Sequence, residues 1–246
     1  MILYGYYGYG YGYGYGYGYD PMLLWALLVA VISMIASAKV SSTYHKYDKV
    51  RSATGMTGAQ AAERILHSAG IYDVSVEHIR GELTDHYDPR NKVLRLSDAT
   101  YGSASVAAVG VAAHECGHAI QHQEEYAPLK FRSALVPAAN LGSRLGIPII
   151  LIGFIFSAVS FLVPVGILVF SLAVLFQIIT LPVEFNASKR ALVLLEKQGI
   201  LGEQEVQQSR KVLTAAALTY VAAAAASIVQ LLRLILIFGG GRRRDD

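Results

Sequence analysis

The sequence predicts an α-helical membrane protein that carries a small α+β domain and has three or four transmembrane helices. Apolar residues make up 54% of the 246 residues and charged residues only 16%, whereas about a quarter of a typical soluble domain is charged. The apolar residues are also concentrated in runs long enough to cross a hydrocarbon core at about 1.5 Å per residue. These runs cover residues 21–38, 147–183 and 212–238, and Arg233 is the one charged residue within them. A freely soluble protein is therefore excluded.

Charge and cysteine content narrow the functional classes. The net charge of +3 arises from 21 basic and 18 acidic residues, a balance too even for a protein that binds nucleic acid through bulk electrostatics. We therefore expect no nucleic-acid partner. The single cysteine, Cys116, excludes an intrachain disulfide.

The N-terminal region combines a low-complexity tail with a membrane anchor. Tyrosine and glycine alternate through most of residues 1–20, and such a tract has no periodic apolar face, which predicts disorder. Residues 21–38 predict a transmembrane anchor rather than a cleaved signal peptide, because no lysine or arginine precedes Lys39. Several cations directly follow the anchor, and by the positive-inside rule they predict that the next domain is cytoplasmic. These cations are Lys39, Lys46, Lys49 and Arg51.

Residues 39–146 form the main polar domain. Helical spacing of apolar residues predicts a helix over 57–69, and an alanine-rich, proline-free segment predicts another over 103–123. Between them, residues 86–91 predict a turn and residues 92–97 a short strand whose charged residues are typical of a sheet edge. The polar domain is therefore predicted to mix helices with a small sheet.

The C-terminal half returns to the membrane. Residues 147–183 are too long for one span and contain Pro164 near the middle, so they predict a helical hairpin that turns there. Residues 184–211 are again polar, and 212–238 predict a transmembrane or membrane-associated helix. If that helix spans, the polar tail 239–246 with its three arginines lies outside, against the positive-inside rule. The sequence therefore leaves three and four crossings both open.

The most informative residues are the pentapeptide His114-Glu115-Cys116-Gly117-His118 in the second predicted helix. The pentapeptide matches the helical His-Glu-x-x-His zinc signature. Histidines four residues apart lie about 40° apart around a helix and one turn apart along it, so both imidazoles can reach one tetrahedral zinc ion. Glu115 lies beside that face and is predicted to act as the general base that takes a proton from the activated water.

A catalytic zinc site needs a third protein ligand. The metzincin pattern is excluded, because Glu124 occupies the position of its third histidine and Gln121 that of its glycine. An intramembrane protease is disfavoured, because only a short apolar run precedes the motif. Among downstream acids, Glu184 stands out at the end of the predicted hairpin. The remaining acids lie in a more polar setting typical of a solvated helix face; they are Glu196, Glu203 and Glu205.

Two further segments accompany the zinc motif: Asp85-His86-Tyr87-Asp88-Pro89 and Leu181-Pro182-Val183-Glu184-Phe185. With these motifs, the sequence resembles the YugP-type membrane zinc metallopeptidases over about residues 20–238 and, more distantly, the HtpX-type proteases. The resemblance implies a zincin-like metallopeptidase domain, one Zn²⁺ per chain bound by His114, His118 and Glu184, and Glu115 as general base. The HtpX-like pattern has an aspartate four residues after the glutamate ligand, where this chain has Ser188.

Several other residues are candidates for supporting roles. His122, Asn186 and Ser188 are expected near the ligands, where they would orient them. For His122, a surface position is the alternative. Cys116 lies about 200° around the helix from His114, which predicts a packing residue rather than a ligand.

Three residues are candidates for contacts with substrate or transition state. His86 and Tyr87 precede the predicted strand and are expected near the cleft, where a peptide could add as a further strand. An ordinary strand-entry turn is the alternative. Tyr220 in the last apolar run could donate to an oxyanion, although tyrosines also anchor helices at membrane interfaces.

These observations predict a multi-pass cell-membrane zinc endopeptidase whose catalytic domain is cytoplasmic. Its expected partners are a protein or peptide substrate and membrane lipid, and its oligomeric state stays open. The alternative is a non-catalytic metal-binding membrane scaffold or adaptor, but a structural zinc ion has no use for Glu115. A transporter is disfavoured by the lack of internal repeats or paired intramembrane charges.

Overall fold

A computed structural model describes residues 21–238, so that the predictions for the Tyr-Gly tail and the C-terminal polar tail lie outside the described residues. The chain is mostly helical and contains one small sheet. In order, its elements are α1 (Pro21–Asp48), α2 (Gly58–Ser68), β1 (Ser75–Ile79), β2 (His86–Asp88), β3 (Val93–Ser97), α3 (Asp98–Tyr101), α4 (Val106–Gln123), α5 (Ala127–Ile155), α6 (Leu162–Lys197) and α7 (Glu203–Phe238).

Four of these helices, α1, α5, α6 and α7, are long and apolar enough to cross a membrane. Many of their large apolar side chains face outward, among them Trp25, Phe154 and Leu236, which are 57%, 66% and 62% exposed. An outward apolar surface of this extent is unfavourable in water and suits lipid. The predicted α-helical membrane fold with a small α+β domain is confirmed, and the last apolar run contributes a fourth candidate span.

Helices α5 and α6 form a hairpin whose turn lies at residues 156–161, with one turn of 3-10 helix at Ser157–Val159. The sequence predicted a turn at Pro164, but the turn lies before this residue. Pro164 lies in the first turn of α6, where a missing N–H leaves no hydrogen bond unmade. Helix α5 also begins at Ala127, within the polar domain of the sequence prediction, and continues through Pro137 and Pro148.

The sheet has the order β1-β3-β2, with β1 parallel and β2 antiparallel to β3. Residues 92–97 thus supply the central strand rather than an edge strand, and residues 86–88 form a strand rather than a turn. Arg95 is tolerated in the centre because ion pairs with both flanking strands neutralise it. It lies 3.0 Å from Asp88 and 3.5 Å from Glu77.

Helix α4 lies at the centre of the polar domain, where it contacts α2, α6, α7 and β3. The core between these elements contains Ile65, Leu94, Val109 and Leu195, each fully buried. Helix α2 enters this core from a capping box, in which Thr57 accepts from the backbone N–H of Gln60 and the Gln60 side chain reciprocates. A helix buried on most sides provides a rigid base for the residues it carries.

Candidate metal and active site

His114 and His118 lie one turn apart on α4 and present their rings to the same point. The ring centroids are 4.8 Å apart and the ring planes meet at 84°. Both side chains are largely buried, with exposed fractions of 14% and 12%. The buried helix α4 that carries them is capped by Ser105, whose hydroxyl accepts from the backbone N–H of Ala108. The two imidazoles are therefore held in fixed directions.

Glu184 on α6 completes the cluster. Its Oε2 atom lies 3.3 Å from Nε2 of His114 and 3.5 Å from Nε2 of His118. The three ligand atoms all lie within 4.8 Å of one another. Oε2 is buried and makes no hydrogen bond to any residue within 21–238. A cation bound at this point would satisfy the carboxylate oxygen between the two imidazole nitrogens. Two imidazole nitrogens and one carboxylate oxygen are a donor set that catalytic zinc sites use.

Close packing of α4 against α6 brings Glu184 to the histidines. Gly117, between the two histidines, faces Ala187 of α6. A Cβ atom at Gly117 would lie 2.6 Å from the Ala187 carbonyl oxygen. The glycine inside the pentapeptide is therefore required by the close approach of the helix that carries Glu184.

The outer nitrogens of both histidines also have partners. Ser188 Oγ lies 3.1 Å from Nδ1 of His114. Gln121 Oε1 lies 3.0 Å from Nδ1 of His118, and Gln121 Nε2 donates to the Val183 carbonyl at 2.8 Å. Since that carbonyl can only accept, the orientation of the Gln121 amide is fixed, and its oxygen requires a proton on Nδ1 of His118. The lone pair of Nε2 is then free for a metal ion.

Gln121 contacts His118, and the sequence did not predict this contact. It is completely buried and also donates to Asn186 Oδ1 at 2.9 Å. Asn186 thus supports Gln121 rather than a histidine, whereas Ser188 contacts a histidine directly. The available signal was the position of Gln121 three residues after His118, on the same helix face.

The cluster carries excess negative charge, which favours a cation. Burial disfavours the protonated form of His118, but the neighbouring carboxylates Glu184 and Glu115, together with Gln121, outweigh burial and raise the pKa of His118 above its ordinary value. Two carboxylates around two imidazoles thus attract a proton when no metal ion is bound. A divalent cation would be attracted by the same two carboxylates.

Glu115 is oriented by the edge strand β2. Its Oε2 atom accepts from the backbone N–H of Tyr87 at 2.9 Å, and its side chain is nearly buried. The Tyr87 hydroxyl in turn lies 2.9 Å from Nδ1 of His122. His122 therefore contacts Tyr87 and not a metal ligand. Burial, with Asp73 and Asp88 nearby, raises the pKa of Tyr87 to about 12, so that the phenol stays neutral.

Two cavities meet at the cluster. The larger, of about 980 Å³, is lined by Glu115, His118 and Glu184 and by the predicted contact residues His86, Tyr87 and Tyr220. The smaller, of about 340 Å³, lies between α1 and α7 and is lined by His114, Glu115, Glu184 and Tyr220. The site is therefore open to a ligand of peptide size. His86 itself bonds through Nδ1 to the Thr84 carbonyl at 2.9 Å.

Arg132 of α5 is a second residue that the sequence analysis missed. Its Nη2 atom lies 3.8 Å from Oε1 of Glu184, and its guanidinium lies over the Phe176 ring. It thus faces the carboxylate oxygen that points away from the histidines. No motif in the sequence around Arg132 predicted this contact.

The other candidates lie away from the cluster. Cys116 points toward α2, where its Sγ contacts the Ala62 carbonyl at 3.6 Å, and burial raises the pKa of its thiol well above the ordinary value. Glu205 accepts from the backbone N–H groups of Ala53 and Gly202. These roles are structural.

Comparison with known proteins also indicates a zinc protein. The family model described as "Putative neutral zinc metallopeptidase" matches residues 22–239. The curated protein named "Putative membrane protease YugP" of Bacillus subtilis (strain 168) is 48% identical over 199 residues, which are 80% of this chain and 88% of that protein. No solved structure matches the chain. Because the family match runs from α1 to α7, the chain belongs to this family.

Proposed function

We propose that the protein is an integral-membrane zinc endopeptidase that hydrolyses peptide bonds in proteins or peptides. One zinc ion per chain would be held by His114, His118 and Glu184. The observation that carries this proposal is the buried Oε2 atom of Glu184, which lies between two imidazole nitrogens and makes no hydrogen bond. The carboxylate of Glu115 beside this point supplies the group that a hydrolase needs and a structural metal site does not.

The chain's own residues suit proton transfer. Zinc, when bound, supplies a Lewis acid that activates water near neutral pH and polarises a carbonyl. Glu115 is held through Oε2 by the Tyr87 N–H, which leaves Oε1 to take the proton of the attacking water. The same carboxyl group would then deliver that proton to the leaving amine nitrogen. Gln121 and Ser188 keep the histidine rings in place during these steps.

The larger cavity is proposed to receive the substrate. The exposed edge of β2 forms part of its wall, near Glu115. An extended peptide could lie along this edge and pair through its backbone, independently of side-chain sequence, at positions other than the Tyr87 N–H, which is bonded to Glu115. Tyr220 lines both cavities and would donate its hydroxyl to the developing oxyanion.

We further propose that the site faces the cytoplasm. Cations concentrate at the C-terminal end of α1 and directly after it, and again over residues 184–211, where α6 ends and α7 begins; both regions lie on the side of the site. With four crossings, the tail 239–246 would lie outside the cell. Its three arginines are outnumbered by the cations on the cytoplasmic side, so the overall charge difference still agrees with the positive-inside rule. The non-catalytic scaffold is less well supported, because Glu115 is nearly buried and held in place beside the cluster.

The test compares the full-length wild type in detergent with Glu115→Gln, and uses Glu63→Gln on the exposed face of α2 as the matched control. We expect one zinc ion per chain in all three proteins. Cleavage of an unfolded protein such as casein should fall at least about 100-fold in Glu115→Gln alone. Unchanged cleavage in that variant would contradict the mechanism, and retained zinc without cleavage by any of the three would favour the scaffold.

A further inference from the structure

A basic groove lies between α1 and α7, outside the zinc site. It has a volume of about 600 Å³, and four cations line it: Lys39, Lys46, Arg210 and Lys211. Among the residues that the structure describes, no acidic side chain lines it. Within residues 21–238, none of the four cations forms an ion pair within 4 Å of a carboxylate, although Lys46 lies over the Tyr47 ring.

The groove results from the helical spacing of its residues. On α1 the lining residues are spaced three and four apart, and the same spacing holds on α7, so that each helix presents one continuous polar face to the other. The α1 set is Lys39, Ser42, Thr43 and Lys46, and the α7 set is Gln207, Arg210, Lys211 and Thr214. Hydroxyl and amide groups thus stand among the cations, which is a suitable set of donors for phosphate oxygens.

The groove also lies where the apolar segments end. Lys39 directly follows the apolar run of α1, and Lys211 directly precedes that of α7. At its apolar end the groove is lined by Ala215 and Leu218. A molecule bound here would place an anionic group among the cations and an apolar group against Leu218. A phospholipid has this polarity, whereas a free anion has no apolar part.

We propose that this groove binds the headgroup phosphate of an anionic phospholipid at the membrane surface. The four cations are exposed and have no carboxylate partner among the described residues, so that binding gains their electrostatic attraction without breaking an existing ion pair. The site is independent of zinc and of peptidase activity. Its occupant would fill the space between α1 and α7 beside the smaller cavity of the zinc site, to which the same two helices contribute.

The test uses the full-length protein in detergent and counts bound lipid by native mass spectrometry. Phosphatidylglycerol is titrated against the wild type, against Lys46→Gln/Lys211→Gln, and against the charge-matched control Arg80→Gln/Lys197→Gln, which alters exposed cations outside the groove. Each juxtamembrane cation contributes about fivefold in affinity, so that the groove variant should bind about thirtyfold more weakly. The control variant and Lys46→Arg/Lys211→Arg should bind like the wild type.

Two further ligands distinguish the source of the phosphate. Phosphatidylcholine, which has no net charge, should bind much more weakly than phosphatidylglycerol, and millimolar inorganic phosphate should not displace the lipid. Equal binding of the two lipids, displacement by phosphate, an unaffected groove variant or an equally weakened control would each overturn the proposal. The unfolding temperatures of all variants without added lipid exclude a change in folding as the cause.

Discussion

Gly117 of α4 lies directly against Ala187 of α6, in a contact that leaves no room for a methyl group: a Cβ atom at Gly117 would lie 2.6 Å from the Ala187 carbonyl oxygen. This contact lies between His114 and His118 on one helix and Glu184 on the other. The distance between the helices at this point therefore determines whether the three ligand atoms can share one ion.

Replacing Gly117 with alanine should push α6 away from α4. Overpacking of this kind destabilises proteins by about 1–3 kcal/mol, and here it should also weaken zinc binding because it moves Glu184. Thermal unfolding and zinc titration in detergent measure the two effects. Gly102→Ala is the control, since no atom lies within 4 Å of a Cβ at that position. Equal zinc affinity in Gly117→Ala and wild type would show that the contact does not position Glu184.

Gln121→Leu should lower zinc affinity by about 10–100-fold, the usual effect of removing a partner that orients a histidine ligand. The change removes the acceptor for Nδ1 of His118 and leaves the Val183 carbonyl without its donor. Competition with a chelator of known affinity measures the effect. Gln123→Leu, at an exposed position of the same helix, should keep the wild-type affinity. A wild-type affinity in Gln121→Leu would mean that packing alone orients the ring.

Glu184→Gln should reduce zinc affinity by more than about 100-fold, because it removes a ligand and not only a supporting group. Zinc should raise the unfolding temperature of the wild type, since an ion that binds the folded state alone stabilises it. That increase should disappear in Glu184→Gln and persist in Glu196→Gln, which alters an exposed carboxylate of the same helix. A persistent increase in Glu184→Gln would exclude Glu184 as a ligand.

Tyr87 should make stability sensitive to alkaline pH. The phenol has a pKa of about 12 in the folded protein, because burial and the nearby Asp73 and Asp88 disfavour its anion, and a pKa of about 10 when unfolded. The contribution of the neutral phenol to the free energy of unfolding is therefore complete below about pH 10 and decreases as the pH rises toward 12. Between these values, Tyr87→Phe should lose less stability than the wild type. Tyr72→Phe, at a 77% exposed position, should behave like the wild type in the same unfolding series.

The zinc motif could be found from sequence because its geometry is local. Two histidines and a glutamate within five residues of one helix have a fixed relationship that helical rise and rotation determine. Glu184 was also identifiable, since it ends an apolar run next to a polar segment. Its contact with the histidines, however, depends on the packing of α6 against α4 at Gly117, which no local pattern records.

Other features depend on tertiary contacts that single residues do not reveal. Gln121 and Arg132 contact the ligands from positions without a motif. The charged residues of β3 suggested a sheet edge, but Arg95 finds carboxylates on both neighbouring strands, which permits a central position. Pro164 suggested a turn, yet a proline in the first turn of a helix is equally favourable. In each case the same local sequence is compatible with two structures, and distant residues decide between them.

Helix α6 carries both the apolar residues of a membrane span and Glu184. From residue 162 to residue 184 the helix rises about 33 Å, at 1.5 Å per residue, and a hydrocarbon core is about 30 Å thick. A continuous helix rather than a flexible linker thus joins the membrane to the carboxylate that we propose binds zinc. For the peptidase proposed here, helix α6 would fix the distance of the zinc site from the membrane. Among substrates anchored in the same bilayer, the bond that is cleaved would then be selected by its height above the lipid as much as by the residues that flank it.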